Sequence, residues 1–231
     1  MLLRQLFDAD TWTYTYLIAD KPGGDAVLID PVREQVERDL KLIDQLGLKL
    51  RWVLDTHTHA DHITAASQLR ERSGAKLAIG AKGPACSDLH MAHGEVLEVG
   101  ELTIKALATP GHTPDSTSFL VGSHVFTGDA LLIRGCGRTD FQGGDPDALF
   151  HSLHEVLLGL PEDTQVWPGH DYQGLTVSTI GEERAFNPRL APKTPEAFAA
   201  LMNNLNLPEP RHIHTAVPAN MECGCEPHAT L

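Results

Sequence analysis

Four metal-competent side chains, His57, His59, Asp61 and His62, fall within six residues of Thr56-His57-Thr58-His59-Ala60-Asp61-His62. They follow directly on the apolar run Arg51-Trp52-Val53-Leu54-Asp55, which reads as a buried strand. A fold that carries this sequence must therefore open a strand end onto a polar site. In an extended segment alternate residues share a face, so His57 and His59 can point at one metal. Asp61 and His62 lie where a helical pattern begins, Ile63 to Arg72, and can face a second position beside it. Imidazole and carboxylate together suit zinc, iron or manganese better than calcium or magnesium.

Further candidate ligands recur downstream in the same context. His112 stands in Ala108-Thr109-Pro110-Gly111-His112-Thr113, Asp129 in Phe126-Thr127-Gly128-Asp129, and His170 in Trp167-Pro168-Gly169-His170-Asp171. Each follows a strand-like run (Leu102 to Ala108, His124 to Phe126, Gln165 to Trp167) and sits beside a glycine, which permits a tight turn or close backbone approach. Polar residues presented repeatedly at strand ends gather distant parts of a chain around one site. Seven ligand-type residues are present, and their chemistry alone favours two metals.

The remaining sequence reads as alternating α/β structure. Strands fit Trp12 to Ala19, Ala26 to Ile29, Leu50 to Leu54, Lys76 to Ile79, Leu102 to Ala108, Ser118 to Val121 and His124 to Phe126. Helices fit Val32 to Gln45, with Val36, Leu40 and Ile43 on one face, and Pro146 to Gly159, with Leu149, Leu153, Val156 and Leu157 on its apolar face. Two more fit Val177 to Phe186 and Pro195 to Leu205. No linker-like break interrupts residues 1–231, so a single domain is expected.

A net charge of −13 weighs against nucleic acid, whose phosphates require clustered Lys and Arg. The N-terminal stretch lacks a secretory pattern, and no apolar run approaches the ~20 residues of a membrane span. Cys86, Cys136, Cys223 and Cys225 do not form a disulfide framework in a chain of this length, and free thiols in a reducing cytoplasm are expected. Cys223-Gly224-Cys225 reads as a mobile tail, His151 and His154 as a solvated helix face, and His212 and His214 as loop histidines.

His-x-His-x-Asp-His, then Gly-His-Thr, Gly-Asp and Gly-His, resembles the metallo-β-lactamase superfamily. That resemblance implies a four-layer αβ/βα sandwich with a metal site at one edge between two mixed sheets, and leaves the reaction open. The segment Leu132-Ile133-Arg134-Gly135-Cys136-Gly137-Arg138-Thr139-Asp140-Phe141-Gln142 closely resembles the corresponding loop of persulfide dioxygenases. Met202-Asn203-Asn204-Leu205-Asn206-Leu207-Pro208 and Ala216-Val217-Pro218-Ala219-Asn220-Met221 look like the same branch. Glyoxalase II-type dizinc thiolester hydrolases share Gly-Cys-Gly-Arg but continue differently and carry a longer C-terminal domain.

The dioxygenase resemblance implies one Fe(2+) per chain, held by His57, His112 and Asp129. His59, Asp61, His62 and His170 match a second-metal set that is unoccupied in that family, where they orient the ligands through hydrogen bonds. The implied reaction, part of hydrogen sulfide metabolism, converts glutathione persulfide, O2 and water to glutathione and sulfite. Arg138 is the candidate for a glutathione carboxylate, against an internal pair with Asp140. Tyr172, two residues after His170, is the candidate to offer its hydroxyl near iron, against plain packing. Cys136 is placed near the substrate channel, against simple small size in a tight turn. A homodimer is a further expectation of the resemblance.

Overall fold

The structure is a computed structural model that describes residues 1–225. Two compact units divide it, the first formed by Met1–Met91, Glu98–Leu102 and the chain from Glu209, the second by Ala92–Leu97 and Thr103–Pro208.

The first unit holds a six-stranded mixed sheet in sequential order. Its strands are β1 (Leu2–Asp8), β2 (Thr13–Ala19), β3 (Asp25–Ile29), β4 (Lys49–Leu54), β5 (Lys76–Gly80) and β6 (Leu89–Met91). β1 to β3 pair antiparallel and β3 to β6 parallel. Parallel neighbours need a crossover, and the helices α1 (Val36–Gln45) and α2 (Ala66–Ser73) supply the two that flank β4. Every residue of β2 is buried, as befits an inner strand covered on both faces. Val36 and Ile43 of α1 and Leu69 of α2 pack with Leu17, Leu28, Val53 and Leu77 in one apolar cluster. A short helix, α6 (Ile213–Asn220), also belongs to this unit.

The second unit carries the other six-stranded sheet, in the order β12-β11-β10-β9-β8-β7. These strands are β7 (Val96–Val99), β8 (Leu102–Ala108), β9 (Thr117–Val121), β10 (His124–Gly128), β11 (Gln165–Pro168) and β12 (Ser178–Thr179). The helices are α3 (Pro146–His151), α4 (Ile180–Phe186) and α5 (Pro195–Asn203). The Asp145 side chain caps α3 by accepting from the Asp147 and Ala148 amides, with proline at the first helical position. Leu149, Leu153 and Leu157 pack with Val125, Val166, Ile180 and Phe198.

Several sequence expectations need correction. The helix expected from Ile63 begins at Ala66, because the preceding backbone bonds to distant partners instead of to itself: Ala65 N donates to Pro31 O and Thr64 N to Asn220 Oδ1. The helix expected over Pro146 to Gly159 is α-helical to His151 and then a π-helix, Ser152–Leu157. His214 lies within α6 rather than in a loop. The helix face of His151 and His154 is only partly solvated, since His154 stacks on Phe150 with ring centroids 4.2 Å apart. β1, β6 and β7 carry too few alternating apolar residues to be read from sequence.

The cysteine expectation is overturned as well. Cys86 and Cys223 form a disulfide with Cα atoms 6.0 Å apart and 137 residues between them in sequence. Spacing along the chain gives no hint of a bond that only tertiary approach creates. Cys136 and Cys225 are the free cysteines among the described residues.

Candidate metal centre

Every sequence-predicted ligand sits just beyond the carboxyl end of a strand. The His57 to His62 segment follows β4, His112 follows β8, Asp129 follows β10 and His170 follows β11. Ligand sites gather outside the carboxyl ends of strands in open α/β sheets, and here both sheets use that edge.

In the first unit the segment is irregular, and side chains fix it. Asp30, at the end of β3, accepts from Thr56 N at 2.7 Å and from Thr56 Oγ1 at 2.9 Å, and its Oδ1 lies 3.1 Å from His59 Nε2. Burial pushes the Asp30 carboxyl above the usual carboxylate range, against the opposing pull of His57 and Thr56. Thr56 Oγ1 meets His57 Nδ1 at 2.9 Å. His62 Nδ1 lies 2.9 Å from Asp61 Oδ2, which also accepts from Thr13 Oγ1 at 3.2 Å. One ligand atom each of His59, Asp61 and His62 lie within 4.8 Å of one another, and Asp30, Asp55 and His59 do the same. His59 is thus held by Asp30 through Nε2 and grouped with Asp61 and His62, and its ring also lies beside that of His57, with centroids 4.1 Å apart. A cleft of about 440 Å³ opens beside Asp61 and His62, walled also by Asp8, Thr11, Arg33 and His212.

In the second unit Asp129 stands between two imidazoles. Its Oδ2 is 3.6 Å from His112 Nε2 and its Oδ1 is 3.6 Å from His170 Nε2. These separations exceed hydrogen-bond range. They match neighbouring ligands around one cation with bonds of ~2.1 Å. His112 Nδ1 meets the Arg138 carbonyl at 2.8 Å, so that nitrogen carries the proton and Nε2 presents a lone pair. Gly137 makes this close stacking possible. A Cβ there would lie 2.3 Å from Asp129 O and 2.9 Å from His112 Cγ. The donor chemistry and the spacing fit a divalent metal.

The three remaining candidates stand in the second unit. Arg138 turns its fork onto Asp140, with Nε and Nη2 donating to the two carboxylate oxygens at 2.6 and 2.7 Å. Its Nη1 and Nη2 also donate to the carbonyls of Pro208 and Leu207 at 2.6 and 3.2 Å, and it lies over the Phe141 ring. The internal pair left open by the sequence is therefore formed, and Arg138 holds the Asp140 carboxyl below its usual range. Cys136 packs against Met202 with sulfurs 3.8 Å apart, and burial pushes its thiol up to about 12. A thiol so shifted is protonated at neutral pH, which argues against sulfur exchange there. Tyr172 is 62% exposed and stacks parallel to His170 at 6.1 Å.

Sequence reasoning missed Asp30, Thr13, Gly137 and Asn220. The rule that found Asp129, a polar residue directly after an apolar strand, applies equally to Asp30 after Ala26 to Ile29. Asn220 offered no such signal.

The comparisons agree with the geometry. Residues 13–84 and 87–170 match the metallo-β-lactamase superfamily. The chain is 50% identical to the mouse (Mus musculus) protein named persulfide dioxygenase ETHE1, mitochondrial, over 98% of this chain and 90% of that protein. It is 49% identical to the human (Homo sapiens) protein of the same name, with the same coverage. The crystal structure of ETHE1 from Myxococcus xanthus superimposes with a TM-score of 0.96 at 55% identity, covering 97% of this chain and all of that one. No helix among the described residues is long and apolar enough to cross a membrane. The fold is the metallo-β-lactamase fold, and the chain belongs to that superfamily and, within it, to the family of persulfide dioxygenases.

Proposed function

We propose that this protein is a persulfide dioxygenase that oxidises glutathione persulfide with O2 and water to glutathione and sulfite. Identity near one half with named persulfide dioxygenases, over almost the whole chain, carries this reading. His57, His112 and Asp129 are the proposed ligands of one Fe(2+). Residues 1–231 act as one metallo-β-lactamase-like domain in this reading, since one family matches residues drawn from both units.

When bound, iron(II) supplies open coordination positions and the redox step that zinc lacks. The chain's own residues do the rest. The Arg138 carbonyl holds the proton on His112 Nδ1 and so keeps Nε2 available as a donor. Asp30 anchors Thr56 and His59, which sets the direction of the histidine loop. His59, Asp61 and His62 orient their neighbours through hydrogen bonds, and His170 stands beside Asp129. Arg138 takes a glutathione carboxylate by exchanging it for Asp140, and Tyr172 offers an exposed hydroxyl beside His170. The proposed setting is cytoplasmic. A homodimer belongs to the same family reading, and sedimentation reads it.

Oxygen uptake tests the reaction. The iron protein with glutathione persulfide should consume O2 and release sulfite in equal amounts, and zinc substitution should abolish uptake. His62→Ala should keep its iron, whereas His112→Ala should lose it. Brisk hydrolysis of S-lactoylglutathione by the zinc form, with no O2 uptake by the iron form, replaces this reading with the glyoxalase II-type hydrolase.

A further inference from the structure

We propose that Asn220 is a positioning residue for the metal-ligand loop, clamping His59 to Thr64 through its side-chain amide. The inference rests on the proposed metal site. The loop leaves β4 and reaches α2 with no helix and only an isolated bridge between Thr64 and Val32, so its buried backbone groups need further partners. Asn220 Nδ2 donates to His59 O at 2.9 Å and to His62 O at 2.8 Å, and Asn220 Oδ1 accepts from Thr64 N at 2.9 Å. One amide thus uses both its hydrogens and an oxygen lone pair on three backbone groups of a single loop. The residue is only 4% exposed, so water cannot stand in for it.

The geometry of the clamp is specific. The carbonyls of His59 and His62 both aim at one nitrogen, which fixes the peptide planes on either side of Asp61 and thereby the directions of the His59, Asp61 and His62 side chains. No aliphatic residue can replace this. Aspartate keeps the acceptor for Thr64 N but presents oxygens to both carbonyls. Glutamine places the amide one methylene too far.

Asn220 is itself held in place. It ends α6, and the following turn bonds back to α2: Cys223 O accepts from Ser67 N at 3.1 Å, one of the amides that the first helical turn leaves without an internal partner. The Cys86–Cys223 disulfide fastens the same turn. A residue more than 150 positions downstream of His59, His62 and Thr64 therefore sets the backbone of the loop that follows His57.

The test compares the iron-loaded wild type with Asn220→Ala and Asn220→Asp, with Ala216→Gly as a variant that loosens α6 without touching the clamp. Asn220→Ala should release iron to a chelator about tenfold faster, the equivalent of about 1.4 kcal/mol, which lies within the cost of leaving buried hydrogen-bonding groups unpaired. The EPR spectrum of its ferrous nitrosyl adduct should also change. Ala216→Gly should lower the melting temperature without either effect. If Asn220→Ala matches Ala216→Gly in release and spectrum, Asn220 is an ordinary packing residue and the proposal falls. Should Asn220→Ala not fold, Asn220→Asp decides: fast release is expected, and wild-type release overturns the clamp. A wild type that takes up no iron removes the metal reading instead. Amide exchange over residues 57–64 of the metal-free chain then reads the clamp directly, faster in Asn220→Asp if it exists and unchanged if it does not.

Discussion

The histidine loop of the first unit and the Leu132 to Arg138 loop of the second are each held by one distant asparagine, in different electrostatic company. Asn220 works through three neutral bonds to backbone. Asn187 Nδ2 donates to Leu132 O at 3.2 Å and Gly135 O at 3.0 Å, and also to Glu183 Oε2 at 2.8 Å. Glu183 is fully buried and accepts further from Arg134 N at 2.8 Å, from the Arg134 guanidinium and from Ser178 Oγ at 2.6 Å. Beyond the Asp30 carboxylate that anchors its start, the loop that carries four ligand-type side chains is thus clamped without charge, and the loop that backs His112 with its Arg138 carbonyl is buttressed by an ion pair. The difference has a physical rationale. A ligand loop changes charge when metal and protons come and go, and a neutral clamp does not couple to that change. The Leu132 to Arg138 loop meets His112 through a backbone carbonyl and can lean on a carboxylate.

The thiols of the two regions should separate most widely. Cys136, in the charged loop, has its pKa pushed to about 12, while Cys225, in the segment beyond Asn220, is exposed. At pH 8 an ordinary thiol near 8.5 is about a quarter thiolate, so Cys136 should alkylate about 1,000-fold more slowly than a small free thiol. Mass spectrometry after timed iodoacetamide exposure should find Cys225 modified first. Because the folded pKa of Cys136 lies above the unfolded value, stability from its burial is complete below about pH 8.5 and is lost as pH rises toward 12. Equal labelling of both thiols would mean that the Gly135 to Arg138 turn opens readily, and the contrast between the loops would weaken.

Glu183→Ala probes the charged support. Removing one partner of a buried pair costs about 3–5 kcal/mol, and the lower end applies because the Arg134 side chain is 31% exposed. Urea denaturation should show that loss, together with salt sensitivity that Asn220→Ala lacks. A salt-insensitive Glu183→Ala, no more destabilised than Asn220→Ala, breaks the comparison.

Legibility in the sequence followed the range of the forces involved. Strands and helices with strong periodicity, such as β8 and α1, were readable because their pattern is local. The candidate ligands His57, His112, Asp129 and His170 are readable because each combines a rare residue type with a strand end. The clamp was not. Asn220 is an ordinary helix-terminal asparagine until the fold brings Thr64 to it, and Cys86 and Cys223 are isolated cysteines until their Cα atoms meet. Arg138 lies between these cases, since its motif marked it but its partner choice depended on geometry. Local sequence marks the candidate ligands and overlooks the groups that hold their loops.

The smallest expected effect is the one that decides what Arg138 does in the second loop. Its guanidinium is committed to Asp140 and to the carbonyls of Leu207 and Pro208, while its own carbonyl serves His112. Replacing the side chain leaves that carbonyl in place, so Arg138→Ala should keep its iron. A charge-assisted bond to a glutathione carboxylate is worth roughly 1.5–3 kcal/mol, so kcat/KM should fall about 10- to 100-fold. Asp140→Asn separates grip from strut. It releases the fork without removing it, and an exposed ion pair contributes only ~0–1 kcal/mol, so kcat/KM should move by no more than about fivefold. Steady-state kinetics with glutathione persulfide on the two variants reads the answer. If Asp140→Asn falls as far as Arg138→Ala, the pair serves as a strut for the loop, and the Arg138 carbonyl on His112 is what that loop contributes to the site.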